Sequence, residues 1–235
     1  MRDVGVILAA AGAGRRFGAR KQYLQILGRP LVCYSLEAFA AVADVRQVVL
    51  VVAPEDQPLG QEMVASWRAA GSQGKPPRDL LVTVTPGGAR RQDSVRLGLE
   101  ALEPDVRLVL VHDAARPLIQ PSDIEKMIAA TRQHGAAVIS TPAFDSVKRV
   151  VAGEIVEELP RDQVWTVQTP QSAEVTALRR AYDAATGTEM TDEASALRAI
   201  GLRVALVEGS RENLKITKPG DEALAEAILR ARESR

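Results

Sequence analysis

The feature of this chain that most restricts its fold is an alternation of short apolar runs with longer stretches of helical periodicity. Runs at 4–10, 45–52, 80–85, 106–111, 136–140 and 202–207 read as strands. Amphipathic stretches at 31–41, 56–70, 92–102, 122–134, 174–185 and 191–200 read as helices, and 219–231 closes the chain with Pro219 near a helix start. Several runs, VVLVV at 48–52 among them, are apolar at consecutive positions rather than alternate ones. Such a strand has no polar face, so it must be covered on both sides, as in a parallel sheet between two layers of helices. The expected fold is one α/β domain over residues 1–235, a three-layer α/β/α arrangement doubly wound around a mostly parallel sheet.

Composition bounds what this domain can do. Aromatic residues make up only 3% of the 235, so Val, Leu, Ile and Ala must build the core. Thirty Lys and Arg balance thirty Asp and Glu, leaving no global field that would draw nucleic acid or an anionic membrane, so neither is an expected partner. Any anion must be held by local clusters of charge. No run approaches the ~18 apolar residues of a spanning helix. Arg2 followed by an apolar run resembles a short signal peptide, but Asp3 sits in its basic region and Gly14-Arg15-Arg16 offers no start for a mature chain. The single cysteine, Cys33, excludes an intrachain disulfide, fits a reducing compartment and reads as a small buried hydrophobe. A soluble, cytoplasmic protein is expected.

One segment breaks the rhythm. VKRVVAGEIVEELPRD, residues 147–162, reads as two short strands around Ala152-Gly153-Glu154 with too few apolar residues for a core. It is expected to be a hairpin arm over about 145–161, either packed on a second subunit or standing as a plain surface hairpin. Residues 71–78 read as a loop within the domain.

In open α/β sheets ligands bind beyond the carboxyl ends of the strands, and there the polar residues collect. Arg15, Arg16, Arg20 and Lys21 follow the first strand; PGGARRQDS, with Gly87, Gly88, Arg90, Arg91 and Ser94, follows the third. HDAARP brings Asp113 and Arg116, TPAFDSVKR brings Asp145, Ser146, Lys148 and Arg149, and SRENLKITK brings Arg211, Lys215 and Lys218. An edge of glycines and bases suits a highly charged anionic ligand. The first loop matches neither common phosphate cradle: Phe17 stands where a dinucleotide fingerprint needs glycine, and Gly-Lys-Ser/Thr is absent. Its small residues, Ala9, Ala10, Ala11, Gly12 and Gly14, still let a flat ring or a phosphate approach the backbone, with Arg16 and Lys21 within reach of phosphates. Asp113, at a strand end, is a candidate Mg²⁺ ligand beside a triphosphate; taken alone, without the surrounding clusters, it reads better as a helix cap or a partner of Arg116. His112 alternates away from it toward the core. There is no hydrolytic triad motif and no zinc-ligand spacing. A phosphate monoester nucleophile needs no general base, since its second pKa is about 6. Cations and alignment suffice, and the residues describe a nucleotidyltransferase-like site joining two phosphates.

AAGAGRRFGARKQYL, PGGARRQDSV, VHDAARP, VQTPQ, TDEASAL and VEGSRENLKIT together resemble the 2-C-methyl-D-erythritol 4-phosphate cytidylyltransferases of the non-mevalonate isoprenoid pathway, over nearly the whole chain. The resemblance implies cytidylyl transfer from CTP to methylerythritol phosphate, with pyrophosphate released and Mg²⁺ or another divalent cation as cofactor. It implies that Arg16 and Lys21 stabilise the transition state at the α-phosphorus. It places the cytosine ring against residues 10–14 (Ala10, Ala11, Gly12 and Gly14 among them), Gly87, Gly88 and Ser94, with Arg91 in the same site. It places Asp113 and Ala114 at the ribose and the metal. Arg161 and Lys215 would position the phosphate of methylerythritol phosphate, with Ser146, Thr169 and Thr191 lining that pocket and Asp145 and Arg116 nearby. The arm would cross a homodimer, so that Ser146 and Arg161 serve the neighbour's site. Three departures stand out: a short loop between Arg16 and Lys21, Ala89 where an acidic residue is common, and Ser146 in place of threonine. The alternatives are another cytidylyltransferase acting on a polyol or sugar phosphate, a silent nucleotide binder, and a nicotinamide dehydrogenase, the last weakened by the failed fingerprint.

Overall fold

A computed structural model describes residues 2–12, 23–70 and 80–234. The order of elements is β1 (Val4–Ala9), β2 (Gln25–Ile26), β3 (Arg29–Pro30), α1 (Leu31–Ala40), β4 (Val45–Val52), α2 (Gln57–Ala70), β5 (Leu81–Pro86), α3 (Arg91–Glu100), β6 (Leu108–Asp113), α4 (Pro121–His134) and β7 (Ala136–Pro142). Then follow β8 (Val147–Val151), β9 (Glu154–Leu159), β10 (Trp165–Glu174), α5 (Val175–Ala184), α6 (Glu193–Ala199), β11 (Ala205–Glu208) and α7 (Asp221–Glu233). The expected strands and helices are present, with ends shifted by a few residues.

Among the described residues seven strands form one sheet in the order β11-β7-β10-β6-β1-β4-β5. The consecutive apolar runs do what their pattern requires. In β4, Val48, Leu50 and Val52 enter a core shared with α1, α2 and α4, while Val49 and Val51 enter the opposite core, shared with α3, α5 and α6. β1 and β6 divide in the same way, with Leu8 and Leu110 on one side and Ile7 and Val111 on the other. These are the three expected layers. Cys33 lies buried in α1, and α7 covers a smaller cluster around Ile26, Leu31 and Leu118.

One strand of the sheet escapes the apolar pattern. β10 lies between β6 and β7 and runs antiparallel to both, whereas β1, β4, β5 and β6 are mutually parallel and β11 is parallel to β7. Its inner residues include Gln168, Thr169, Pro170, Gln171 and Ser172, a composition that argues against a central strand because proline cannot donate to a ladder. The register shifts between Val167 and Gln171, around Pro170, and the buried polar side chains are each bonded. Ser172 Oγ, for example, meets Thr131 Oγ1 at 2.5 Å.

The segment expected as an arm is a separate antiparallel pair, β8 with β9. Its turn is Ala152-Gly153, with φ of +48° and +86°, the two-residue geometry whose twist matches a hairpin and for which glycine is suited. Lys148–Glu158 and Arg149–Glu157 ion pairs bridge the strands, while Val150, Val151, Ile155 and Val156 are exposed.

Candidate active site

Because β10 alone opposes the other strands, the carboxyl ends of β1, β4, β5, β6, β7 and β11 share one edge of the sheet, and β10 enters from that edge. Gly14, Arg16 and Lys21, with the neighbouring Arg15 and Arg20, lie outside the described residues, as does the whole of the 71–78 loop.

At the ends of β1 and β5 the chain is held so close that side chains are excluded. Gly87 donates its N–H to Val52 O at 2.7 Å. A Cβ on Gly87 would stand 2.5 Å from Ala11 Cβ and 2.7 Å from Ser94 Oγ, closer than such atoms come, so no other residue fits. Ser94 Oγ accepts the Gly88 N–H at 3.1 Å and donates to Arg90 O at 3.2 Å. Ala10 is buried, and the space beside Gly12 is open. Ala11, Gly87 and Ser94 thus meet in a floor of small residues drawn from two strand ends, with Ala10, Gly12 and Gly88 adjacent to them in the chain.

Beside it, at the end of β6, stands Asp113. Lys215 Nζ donates to its Oδ2 at 2.6 Å and Arg91 Nε to its Oδ1 at 3.2 Å. Burial alone would raise the Asp113 carboxyl, but the guanidinium and the ammonium hold it well below the usual carboxylate range. Arg91 in turn gives two shorter bonds to Glu193, 2.7 and 3.0 Å, and Tyr182 Oη donates to the same carboxylate at 2.8 Å. Burial works against the Arg91 charge, yet Glu193 and Asp113 more than offset it. Asp113 therefore pairs with Arg91 and Lys215 rather than with Arg116, whose Nη1 donates to Asn213 O at 2.8 Å.

Beneath Asp113 runs a chain of bonds with one consistent set of proton positions. The Asp113 N–H donates to Thr169 Oγ1 at 3.0 Å, Thr169 Oγ1 lies 3.2 Å from His112 Nδ1, and His112 Nε2 lies 2.9 Å from Arg116 O. A carbonyl only accepts, so Nε2 carries the proton and the threonine hydroxyl donates to Nδ1. Burial depresses the His112 pKa to about 4, and its ring stands edge-on to Phe39. His112 is a neutral core residue, as alternation along β6 predicts. Ala114 is buried, and its N–H is spent on Ala9 O at 3.0 Å.

The remaining expected residues lie at the same edge but outside this cluster. Asp145 and Ser146 are exposed just before β8, and Arg161, just after β9, donates to Phe144 O at 3.0 Å. The Arg211 guanidinium lies over the Phe144 ring. Thr191 is exposed, its Oγ1 3.3 Å from Ser195 Oγ. Among the described residues none of these four expected positions bonds to Asp113, Arg91 or Lys215.

Among the residues of the arrangement absent from the sequence-based expectations are three that lie in the quoted motifs and bind its parts together: Glu193, Gln171 and Asn213. Gln171 accepts the Ala194 N–H at 2.7 Å and donates to Asp192 at 3.1 Å, fastening the start of α6 to β10. Asn213 Nδ2 donates to Gln168 Oε1 at 3.0 Å and to Thr169 O at 2.9 Å, fastening the Lys215 loop to the same strand. All three sit inside motifs already conspicuous in the sequence, TDEASAL, VQTPQ and VEGSRENLKIT, which is the one signal they leave there.

A mostly parallel α/β sheet with small residues at two strand ends and a cation-flanked carboxylate at a third defines a nucleotidyltransferase-like protein. The comparisons narrow that class. The family model of 2-C-methyl-D-erythritol 4-phosphate cytidylyltransferase matches residues 4–231. The proteins of that name from Pelotomaculum thermopropionicum and Chromobacterium violaceum are 39% and 41% identical, covering 100% and 97% of this chain and 98% of each relative. The crystal structure of the protein of that name from Thermus thermophilus superimposes with a TM-score of 0.76 at 35% identity, covering 97% of this chain and 99% of that one. The chain belongs to the 2-C-methyl-D-erythritol 4-phosphate cytidylyltransferase family.

Proposed function

We infer that the carboxyl edge of the sheet transfers the cytidylyl group of CTP to 2-C-methyl-D-erythritol 4-phosphate, releasing pyrophosphate, in isoprenoid biosynthesis. The observation that carries this reading is Asp113 at the end of β6, held between Arg91 and Lys215 beside the side-chain-free floor at Gly87. The acceptor phosphate is largely ionised near neutral pH, so its oxygen attacks the α-phosphorus without a base. His112, the histidine nearest the site, is buried and bonded at both nitrogens. The pyrophosphate leaves as a dianion or higher, and cations must meet the charge that develops. Arg16 and Lys21 carry that role by family resemblance, and Lys215, with 43% of its side chain exposed, is free to turn from Asp113 toward the acceptor phosphate. Arg161, Ser146, Thr169 and Thr191 complete the acceptor pocket in this reading, with Asp145 and Arg116 beside them.

A divalent cation, Mg²⁺ or another, is the expected cofactor. Among the described residues no group of three metal-ligating side chains exists. Mg²⁺ typically takes one or two carboxylates plus substrate phosphates, so the lone Asp113 fits an ion that arrives with the triphosphate. When bound it would neutralise phosphate charge. A second copy of the chain is the expected partner of the arm. A two-stranded hairpin is marginal in water by itself, and this one exposes four apolar side chains. Ser146 and Arg161 flank it, so docking would carry both toward the neighbour's site.

The test is pyrophosphate release with methylerythritol phosphate, with and without Mg²⁺, across CTP, UTP, ATP and GTP. Release is expected with CTP, only with both substrates and the metal present. Equal release with UTP would mean that Ala89 leaves the base pocket unselective. Release with none of the four would overturn the assigned acceptor, and other polyol phosphates would be tried in its place.

A further inference from the structure

Within the Arg91 cluster the bond lengths rank the two carboxylates. Arg91 gives Glu193 a pair of bonds at 2.7 and 3.0 Å, and gives Asp113 one longer contact at 3.2 Å. The Glu193 side chain is 1% exposed and the Asp113 side chain 10%. A paired, planar fork of this kind fixes a guanidinium in orientation as well as place. Glu193 is fixed in turn by Tyr182 Oη at 2.8 Å and by its position at the first turn of α6, whose start Asp192 and Gln171 cap. The order of command therefore runs from the buried end outward: Tyr182 and α6 hold Glu193, Glu193 holds Arg91, and Arg91 touches Asp113.

We propose that Glu193 is a positioning residue for the transfer reaction: by occupying Arg91 it limits that cation to a single contact with Asp113 and leaves the Asp113 carboxylate available to the incoming ligand. Lys215, Asp113, Arg91 and Glu193 sum to zero charge. Without the Glu193 charge the cluster is net positive and Arg91 turns its full fork on Asp113, competing for the carboxylate. Glu193 is buried, so it touches neither substrate and acts only through Arg91. This inference rests on the reading of Asp113 as a site residue.

The experiment is a double-mutant cycle of Glu193→Gln and Asp113→Asn, following radiolabelled pyrophosphate release and thermal melting. Glu193→Gln is expected to lower kcat by roughly 10–100-fold, the range seen when partners behind a functional ligand are removed. On the Asp113→Asn background the same change is expected to cost less than about 3-fold, because residues acting through one another are not additive. A full additional loss on that background, or turnover of Glu193→Gln within about 3-fold of the parent, overturns the proposal while the reading of Asp113 stands. Wild-type turnover of Asp113→Asn overturns both. If Glu193→Gln fails to fold, Tyr182→Phe removes one bond to the carboxylate; its smaller loss in kcat must likewise vanish on Asp113→Asn, and persistence there counts against the proposal.

Discussion

His112 shows how a single side chain ties the site to the core. Its ring supports Thr169, Thr169 receives the Asp113 N–H, and every proton on that path has one place to go. Protonation would put a second hydrogen on Nδ1 facing a hydroxyl already committed as donor, inside a fully buried site. The folded pKa of about 4 lies below the ordinary 6.5, so between these values the unfolded chain binds the extra proton. The stability held by neutral His112 is complete above about pH 6.5 and is lost as pH falls toward 4, by on the order of 3 kcal/mol. Urea unfolding at pH 7 and at pH 4.5 should therefore show a smaller difference in His112→Asn than in the parent; equal differences would remove His112 as the source. Histidine next to aspartate on an apolar run was legible as a core residue from strand alternation alone. The pairing of Asp113 was not, because Arg91, at the start of α3, and Lys215, in the loop before α7, reach it from segments far apart in sequence, and charge spacing along a chain does not report such meetings.

At the scale of elements, β10 separates what a sequence reveals from what it conceals. The other central strands announce themselves because they are buried by hydrophobic side chains on both faces. β10 is buried as deeply over 168–173, but it is held there by hydrogen bonds to its polar side chains, and each partner lies on another element: Gln168 with Asn213, Thr169 with the Asp113 N–H, Gln171 with the Ala194 N–H at the start of α6, Ser172 with Thr131 of α4. Nothing in local propensity encodes a strand whose stability resides in its neighbours. Gln171→Ala tests this, since it leaves the Ala194 N–H without its acceptor and removes the donor to Asp192. A loss of about 1–3 kcal/mol in denaturant unfolding is expected, and an unchanged midpoint would mean that water replaces the glutamine at no cost.

The whole molecule gathers its site from segments between residues 10 and 215, all delivered to one edge by strand direction. The doubly wound class was readable in the apolar pattern, and so was the hairpin, whose turn and cross-strand charges are local. A partner for its apolar face was not, since only the residues of the hairpin itself are encoded there. Ile155, 68% exposed in the single chain, belongs to the apolar patch that would be covered in a dimer. Ile155→Glu is expected to shift sedimentation toward the monomer while leaving the melting of the sheet domain nearly unchanged; an undisturbed dimer would place the interface elsewhere. The late arrival of β10 bears on synthesis at the ribosome. β6 is complete at Asp113, yet the strand that covers its open side begins only at Trp165. At ~5–20 residues per second the nascent chain spends several seconds with that edge unpaired, an interval in which chaperone capture, or pairing with a neighbouring nascent chain, competes with completion of the sheet.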